Sequence, residues 1–164
     1  MTVKPANYSY RRTNGTSLTG ENGMGYVYAE IELTNGDDLA LSRRGLLAEH
    51  EIKRVSSRAL VDSGAWDLVI NEDVRKRLDL PVLDRRTATL ADEREVDVDI
   101  VGPVQIRFQN RATVIMAIVL PNTSEVLLGA YALEGLDAFI DPKRERLLVH
   151  PDDIKKLKRV SLSI

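Results

Sequence analysis

The chain has 164 residues, enough for one domain that buries about two-thirds of the surface its unfolded form exposes. Its 23 Lys and Arg nearly balance 25 Asp and Glu, and a net charge of −2 with no evident basic face gives no reason to expect a binder held to nucleic acid by electrostatic attraction. With no cysteine, disulfides, thiolate catalysis and cysteine-ligated zinc are excluded. The N-terminus has no apolar segment of signal-peptide type, and the longest apolar run, Val114 to Leu120, is too short to span a bilayer, so a soluble cytoplasmic protein is expected.

Residues 1–23 are rich in Asn, Thr, Gly, Ser and Tyr without a sustained period and read as a flexible arm. From Tyr26 to Leu33 the chain alternates, with Val27, Ala29, Ile31 and Leu33 on one face, as a half-buried strand requires. Asn35-Gly36-Asp37 is expected to close it with a turn. The charged insertion from Leu39 to Ile52 suits either a short helix or a long hairpin arm. Arg58 to Val61 forms a strand that runs into Asp62.

Leu68-Val69-Ile70 is a second short strand. Asn71 then caps a helix with Glu72 and Asp73 in its first turn, Arg75, Lys76 and Arg77 in its last, and Val74 and Leu78 on its inner face. Pro81 ends it. Val96, Val98 and Ile100 alternate with Glu95, Asp97 and Asp99. After Gly102-Pro103, Val104, Ile106 and Phe108 alternate with Gln105, Arg107 and Gln109, so these are strands with one wet face. Ala112 to Leu120 is apolar and rich in β-branched residues and predicts a strand covered on both faces. After the turn at Pro121-Asn122-Thr123-Ser124 comes Val126-Leu127-Leu128-Gly129, then a short helix over Tyr131 to Leu136. A hairpin follows, Ala138 to Ile140 and Leu147 to Val149, and a basic tail spans residues 152–164. The segment ending Asp62-Ser63-Gly64-Ala65 and the one ending Gly129-Ala130 form a faint repeat, each an apolar strand followed by a short helix. Many short strands predict an all-β, mainly barrel architecture with one or two short helices.

The chemistry concentrates at Leu60-Val61-Asp62-Ser63-Gly64-Ala65, where one carboxylate leaves an apolar run and enters a turn of small residues. Burial raises a carboxyl pKa, and two carboxyls brought together share one proton, which poises one as base and the other as acid. The chain holds a single Asp-Ser/Thr-Gly triplet. A paired site therefore needs a second copy of the chain.

These residues resemble the retropepsin-like aspartic proteases in their small bacterial form, over roughly residues 24–151. The resemblance rests on the Asp62-Ser63-Gly64-Ala65 run, the flap-like Leu90-Ala91-Asp92-Glu93, Val126-Leu127-Leu128-Gly129, and Leu136 through Pro142. It implies a closed acid-protease β-barrel acting as a homodimeric aspartic endopeptidase, which hydrolyses internal peptide bonds of a peptide or protein without cofactor or metal. Asp62 would be the catalytic carboxylate, Ser63 would hydrogen-bond across the pair, and Gly64 would allow close approach. Ala65, Trp66, Ala91, Asp92 and Glu93 would meet substrate, while Leu127, Leu128 and Gly129 would support the floor.

The chain departs from the pattern in two places. Many viral members carry an Asp after the Asp-Thr-Gly-Ala run, paired with an Arg after the second Gly; here these places hold Trp66 and Ala130. Both halves of the ion pair are absent together, which implies a different support for the site. At the flap tip, Asp92-Glu93-Arg94 replaces the expected glycines. Trp66, the only Trp, suits a substrate-pocket wall as well as core or dimer packing.

Other patterns read more simply. Glu49-His50-Glu51 finds no matching ligand at helical or hairpin spacing, and the other histidine is His150. Glu95, Asp97 and Asp99 read as an exposed polar face, and the glycines between 20 and 25 lack the context of a phosphate loop. Neither a nucleic acid nor a membrane partner is expected. The alternative function is a catalytically silent barrel of the same fold that binds peptides or partner chains.

Overall fold

The computed structural model describes residues 9–10 and 26–151; the rest of the expected N-terminal arm, and the basic tail from residue 152, lie outside the described residues. A two-residue strand, β1 (Ser9–Tyr10), precedes the main body. Strand β2 (Val27–Asn35) buries Val27, Ala29, Ile31 and Leu33, the face that the alternation predicts. It pairs antiparallel with β3 (Arg54–Val61), with Val27 opposite Val61 and Thr34 opposite Arg54.

Between them the chain does not simply turn. Asn35 caps a helix, α1 (Gly36–Arg43), its side-chain oxygen accepting the Asp38 N–H at 3.0 Å. Asn in an Asx turn and Asn at a helix N-cap make the same local bond, so the expected turn becomes a helix where tertiary contacts continue it. The Asn35 amide also donates to the Leu78 carbonyl at 2.8 Å, and the Asp38 carboxylate accepts the Lys53 N–H at 3.0 Å. The insertion is thus helical, followed by a 3-10 turn at Glu49–Glu51.

Beyond β4 (Leu68–Ile70), Asn71 accepts the Val74 N–H at 2.8 Å and starts α2 (Glu72–Leu78), as expected. The helix ends at Asp79 in the left-handed region, φ 50°, two residues before Pro81. A strand β5 (Val82–Leu90) then forms a hairpin with β6 (Glu95–Phe108). β1 lies parallel to the end of β5, Ser9 opposite Thr89. β6 is continuous where the sequence predicts two strands: it runs through the cis Gly102–Pro103 bond, and the irregularity there is a bulge in its pairing with β7 (Arg111–Val119). A bulge accommodates residues that cannot join the ladder without ending the strand.

β7 is buried on both faces only at Ala117–Val119, where β6 and β4 flank it. Val114 and Met116, at 55% and 50% exposure, point outward, which corrects the expectation of a strand covered on both faces. α3 (Ala130–Leu136) covers only one side: Gly135 packs against the Thr113 side chain, and alternate residues face away.

β8 (Val126–Leu128) inserts parallel to β3 and antiparallel to β4. The hydrogen-bonded order β6-β2-β3-β8-β4-β7 returns to β6 through the β6–β7 pairing, so six strands close into a barrel. Closure leaves the β5–β6 hairpin projecting from the wall. The fold is mainly β with three short helices, α1 being the one beyond the expected pair. The main core gathers residues from all six barrel strands and from α2 and α3, including Leu33, Leu68, Ile70, Leu78, Ile106, Leu128 and Leu136. β9 (Ala138–Asp141) and β10 (Arg146–Val149) form the expected terminal hairpin, which contributes Leu147 to that core. Among the described residues, no helix is long and apolar enough to cross a membrane.

Candidate active site

The site begins where β3 leaves the barrel. The Asp62 N–H donates to the Leu128 carbonyl at 3.0 Å, extending the β3–β8 pairing by one step and fixing the residue's height above the floor. Its carboxylate turns back on the chain, Oδ1 accepting the Gly64 N–H at 2.8 Å, while Ala65 N–H donates to the Asp62 carbonyl at 3.2 Å. A Cβ at Gly64 would stand 3.1 Å from that same Oδ1, so glycine is what lets the carboxylate fold over the turn. Asp62 is half-buried, Ser63 and Gly64 are exposed, and Ala65 is buried.

The two halves of the sequence repeat meet here. Ala130 N–H donates to the Ala65 carbonyl at 2.8 Å and Tyr131 N–H to the Trp66 carbonyl at 3.0 Å, so the start of α3 is tied to the Asp62 turn. Gly129 sits at the crossing, where a Cβ would fall 2.5 Å from the Asp67 carbonyl oxygen and 2.9 Å from that of Ala65. Leu127 and Leu128 face opposite ways. Leu128 is fully buried in the main core, whereas Leu127 packs at the edge of a second apolar cluster formed by Val69, Ala88, Val98 and Ile118. That cluster packs the β5–β6 hairpin against β4 and β7 of the barrel.

Ala91, Asp92 and Glu93 form the exposed hairpin tip. It is tight without glycine: Leu90 N–H donates to the Arg94 carbonyl at 2.8 Å, Glu93 adopts φ 66°, and Arg94 pairs with the Asp92 carboxylate at 2.7 Å. The contact that packs the hairpin against the barrel is made by the strands below the tip, at Ala88 and Val98, rather than by these three.

Where the viral pattern has an ion pair, this chain has an aromatic one. Trp66 and Tyr131 approach with ring centroids 5.7 Å apart at 43°, and both are half-exposed, at 56% and 51%. Tyr131 is a site residue that sequence reasoning missed. Its signal was present, one place after Ala130, but the pairing depends on how α3 meets the turn. Asp67 is a second. Its Oδ2 is enclosed with no hydrogen-bond partner, and burial pushes its carboxyl above the ordinary range against the opposing pull of the Arg86 guanidinium on β5.

Among the described residues, no group of three or more His, Asp and Glu gathers to hold a metal. Glu49, His50 and Glu51 are exposed on their 3-10 turn. Asp99 pairs with Arg85 at 2.9 Å and Asp97 accepts from Thr87 at 3.2 Å, so the acidic face of β6 is occupied by its own hairpin partner.

A closed six-stranded barrel carrying an Asp-Ser-Gly turn at the end of a strand that pairs parallel with a second apolar-Gly strand is consistent with the retropepsin-like aspartic protease fold. Residues 48–135, more than half of the chain, match the family described as "gag-polyprotein putative aspartyl protease", and the chain belongs to that family. The matched stretch holds the Asp62 turn, the β5–β6 hairpin and Gly129. No curated protein matches the chain.

Proposed function

We propose that the chain is an aspartic endopeptidase acting as a symmetric homodimer, with residues 24–151 as its protease domain and Asp62 of each copy as the catalytic pair. The observation that carries this reading is the Asp62 turn itself. A carboxylate is held at a strand end by Leu128, oriented by the Gly64 N–H, and presented at the surface of a protease-family barrel rather than spent in a packed interior. One chain supplies one such carboxylate, and peptide hydrolysis by paired carboxyls needs two, so a two-fold axis beside Ser63 completes the site.

In that arrangement the pair holds a water between them. The ionised carboxyl takes a proton from the water as its oxygen attacks the scissile carbonyl, and the protonated one gives its proton to the carbonyl oxygen; as the C–N bond breaks, the first carboxyl passes its proton to the leaving nitrogen and the second regains one from the diol hydroxyl, so the pair again holds one proton. Leu127, partly buried at the edge of the hairpin-side cluster, would offer an apolar contact to an extended peptide. The test is peptide cleavage by wild type and Asp62→Asn from acid to neutral pH, with circular dichroism confirming that both fold. Abolished cleavage by a folded variant is expected. Cleavage by a folded Asp62→Asn protein would reject the assignment, and peptide binding without cleavage by wild type would favour the silent barrel.

A further inference from the structure

We propose that the N-terminal segment is an intramolecular competitor of the substrate: Ser9–Tyr10, as strand β1, occupies the edge of the β5–β6 hairpin on which an extended peptide has to pair. This rests on the endopeptidase reading above and adds to it a regulator carried by the same chain.

Strand β5 has two edges, and β6 takes one of them from Val82 to Thr89. At the last step before the tip, the Leu90 N–H donates to the Arg94 carbonyl at 2.8 Å, and the Leu90 carbonyl accepts the Glu93 N–H at 3.0 Å. Successive residues of an antiparallel strand point their backbone groups to opposite sides, so Thr89 turns its N–H and C=O to the other edge. β1 lies along that edge, with Ser9 opposite Thr89 and Tyr10 opposite Leu90. The segment therefore covers the hairpin where its backbone is open, just below the tip.

That edge is tied to the site. Leu90 and Leu127 both pack against the cluster of Val69, Ala88, Val98 and Ile118, and Leu127 lies opposite Leu60 on the strand that leads into Asp62. A peptide held extended between the Asp62 turn and the hairpin needs partners for its own N–H and C=O groups. On the hairpin side the open edge of β5 is what remains, because β6 fills the other. One edge pairs with one strand at a time, so the N-terminal segment and the substrate exclude each other. The tether makes a short pairing effective: a contact with a Kd of about 0.25 mM, set against an effective concentration of about 1 mM, is closed about four-fifths of the time and lowers substrate affinity about fivefold. Peptide in excess still displaces it.

The test uses the full chain carrying Ser9→Pro and Tyr10→Pro together, which removes both backbone donors of β1 and leaves the barrel sequence untouched. Amide exchange read by NMR should show the Thr89 N–H exchanging about fivefold faster in the double variant than in wild type, while the Leu90 N–H, bonded within the hairpin, keeps its rate. In an Asp62→Asn background, a peptide selected from a random library for binding to that protein should bind about fivefold tighter once the two prolines are present, measured by calorimetry. With Asp62 intact, the prolines should lower KM by the same factor and leave kcat unchanged, as removal of a competitor does. Equal Thr89 exchange with and without the prolines would overturn the pairing. Faster Thr89 exchange with unchanged peptide affinity would overturn the competition. A chain that meets both expectations yet cleaves no peptide refutes the endopeptidase reading alone, because exchange and binding are both read without cleavage.

Discussion

The backbone of Gly129 is pressed against that of Asp67, so closely that a Cβ on Gly129 would stand 2.5 Å from the Asp67 carbonyl oxygen. The obstacle is backbone, which cannot rotate away, and Gly129 itself has an extended conformation that any residue adopts. The constraint is therefore space, not φ. Gly129→Ala should cost about 3 kcal/mol, at the upper end for overpacking, and should abolish cleavage by displacing the Asp62 turn. Gly45, at φ 73° with open space around it, is the control: Gly45→Ala should cost about 1 kcal/mol and leave cleavage intact. Urea denaturation of both variants, with equal m-values, checks the contrast.

Asn35 is 4% exposed and serves three elements at once, closing β2, capping α1 and donating to the last carbonyls of α2. Asn35→Ala removes the acceptor of the Asp38 N–H and the donor to Leu78, leaving two buried backbone groups unpaired. A loss of about 2–3 kcal/mol is expected. Asn35→Asp should recover the cap but not the Leu78 bond, and so fall between the two in thermal stability.

Asp67 gives the protein a pH dependence of known sign. Its carboxyl is pushed up by burial, so the folded protein holds this proton more tightly than the unfolded chain does. The ionised form therefore weakens the fold at neutral pH. That loss is relieved as pH falls through the raised folded value, and it is gone below the unfolded one, near 4 as an order-of-magnitude reference. Asp67→Asn should stabilise the protein at neutral pH, with the gain shrinking in acid. Arg86→Gln removes the opposing attraction and should move the Asp67 titration higher still. Carbon-detected NMR titration of the Asp67 carboxyl reads both, and a midpoint at or below that of an exposed aspartate would refute the argument.

Ser63 is exposed in the protomer, beside the half-buried Asp62. In the proposed dimer it lies at the two-fold axis, where each hydroxyl contributes a hydrogen bond worth about 1 kcal/mol. Ser63→Ala should then raise the dimer dissociation constant by roughly thirtyfold, two such bonds being lost, with protomer secondary structure unchanged. Sedimentation equilibrium measures it. Specific activity of wild type should also fall on dilution through that constant, and a monomer with full activity would refute the paired site.

Much of the wall of this barrel was legible in local pattern. The alternation of Val27, Ala29, Ile31 and Leu33 marks a half-buried strand because burial of one face repeats every second residue. Asn71 before Glu72 and Asp73 marks a helix start because its bond to the Val74 N–H spans only three residues. The Asp62 turn stood out for the same reason, since Gly64 closes on the carboxylate two residues before it.

What the tertiary structure decided depends on contacts between distant parts of the chain. Asn35 is ambiguous between turn and cap until Leu78, 43 residues on, accepts its amide. Val114 and Met116 share the apolar character of Ala117 to Val119, and only the position of α3 and the short reach of β4 separates the exposed from the buried. Leu127 and Leu128 are equivalent as residues; the strand pleat sends one toward the hairpin and the other into the core. Tyr131 meets Trp66, and Asp67 loses its solvent, because the apolar-Gly strand returns parallel to β3 some 65 residues after it and closes over the turn. Periodicity records how often a residue is buried. It carries no record of what buries it, and that is a property of the closed barrel alone.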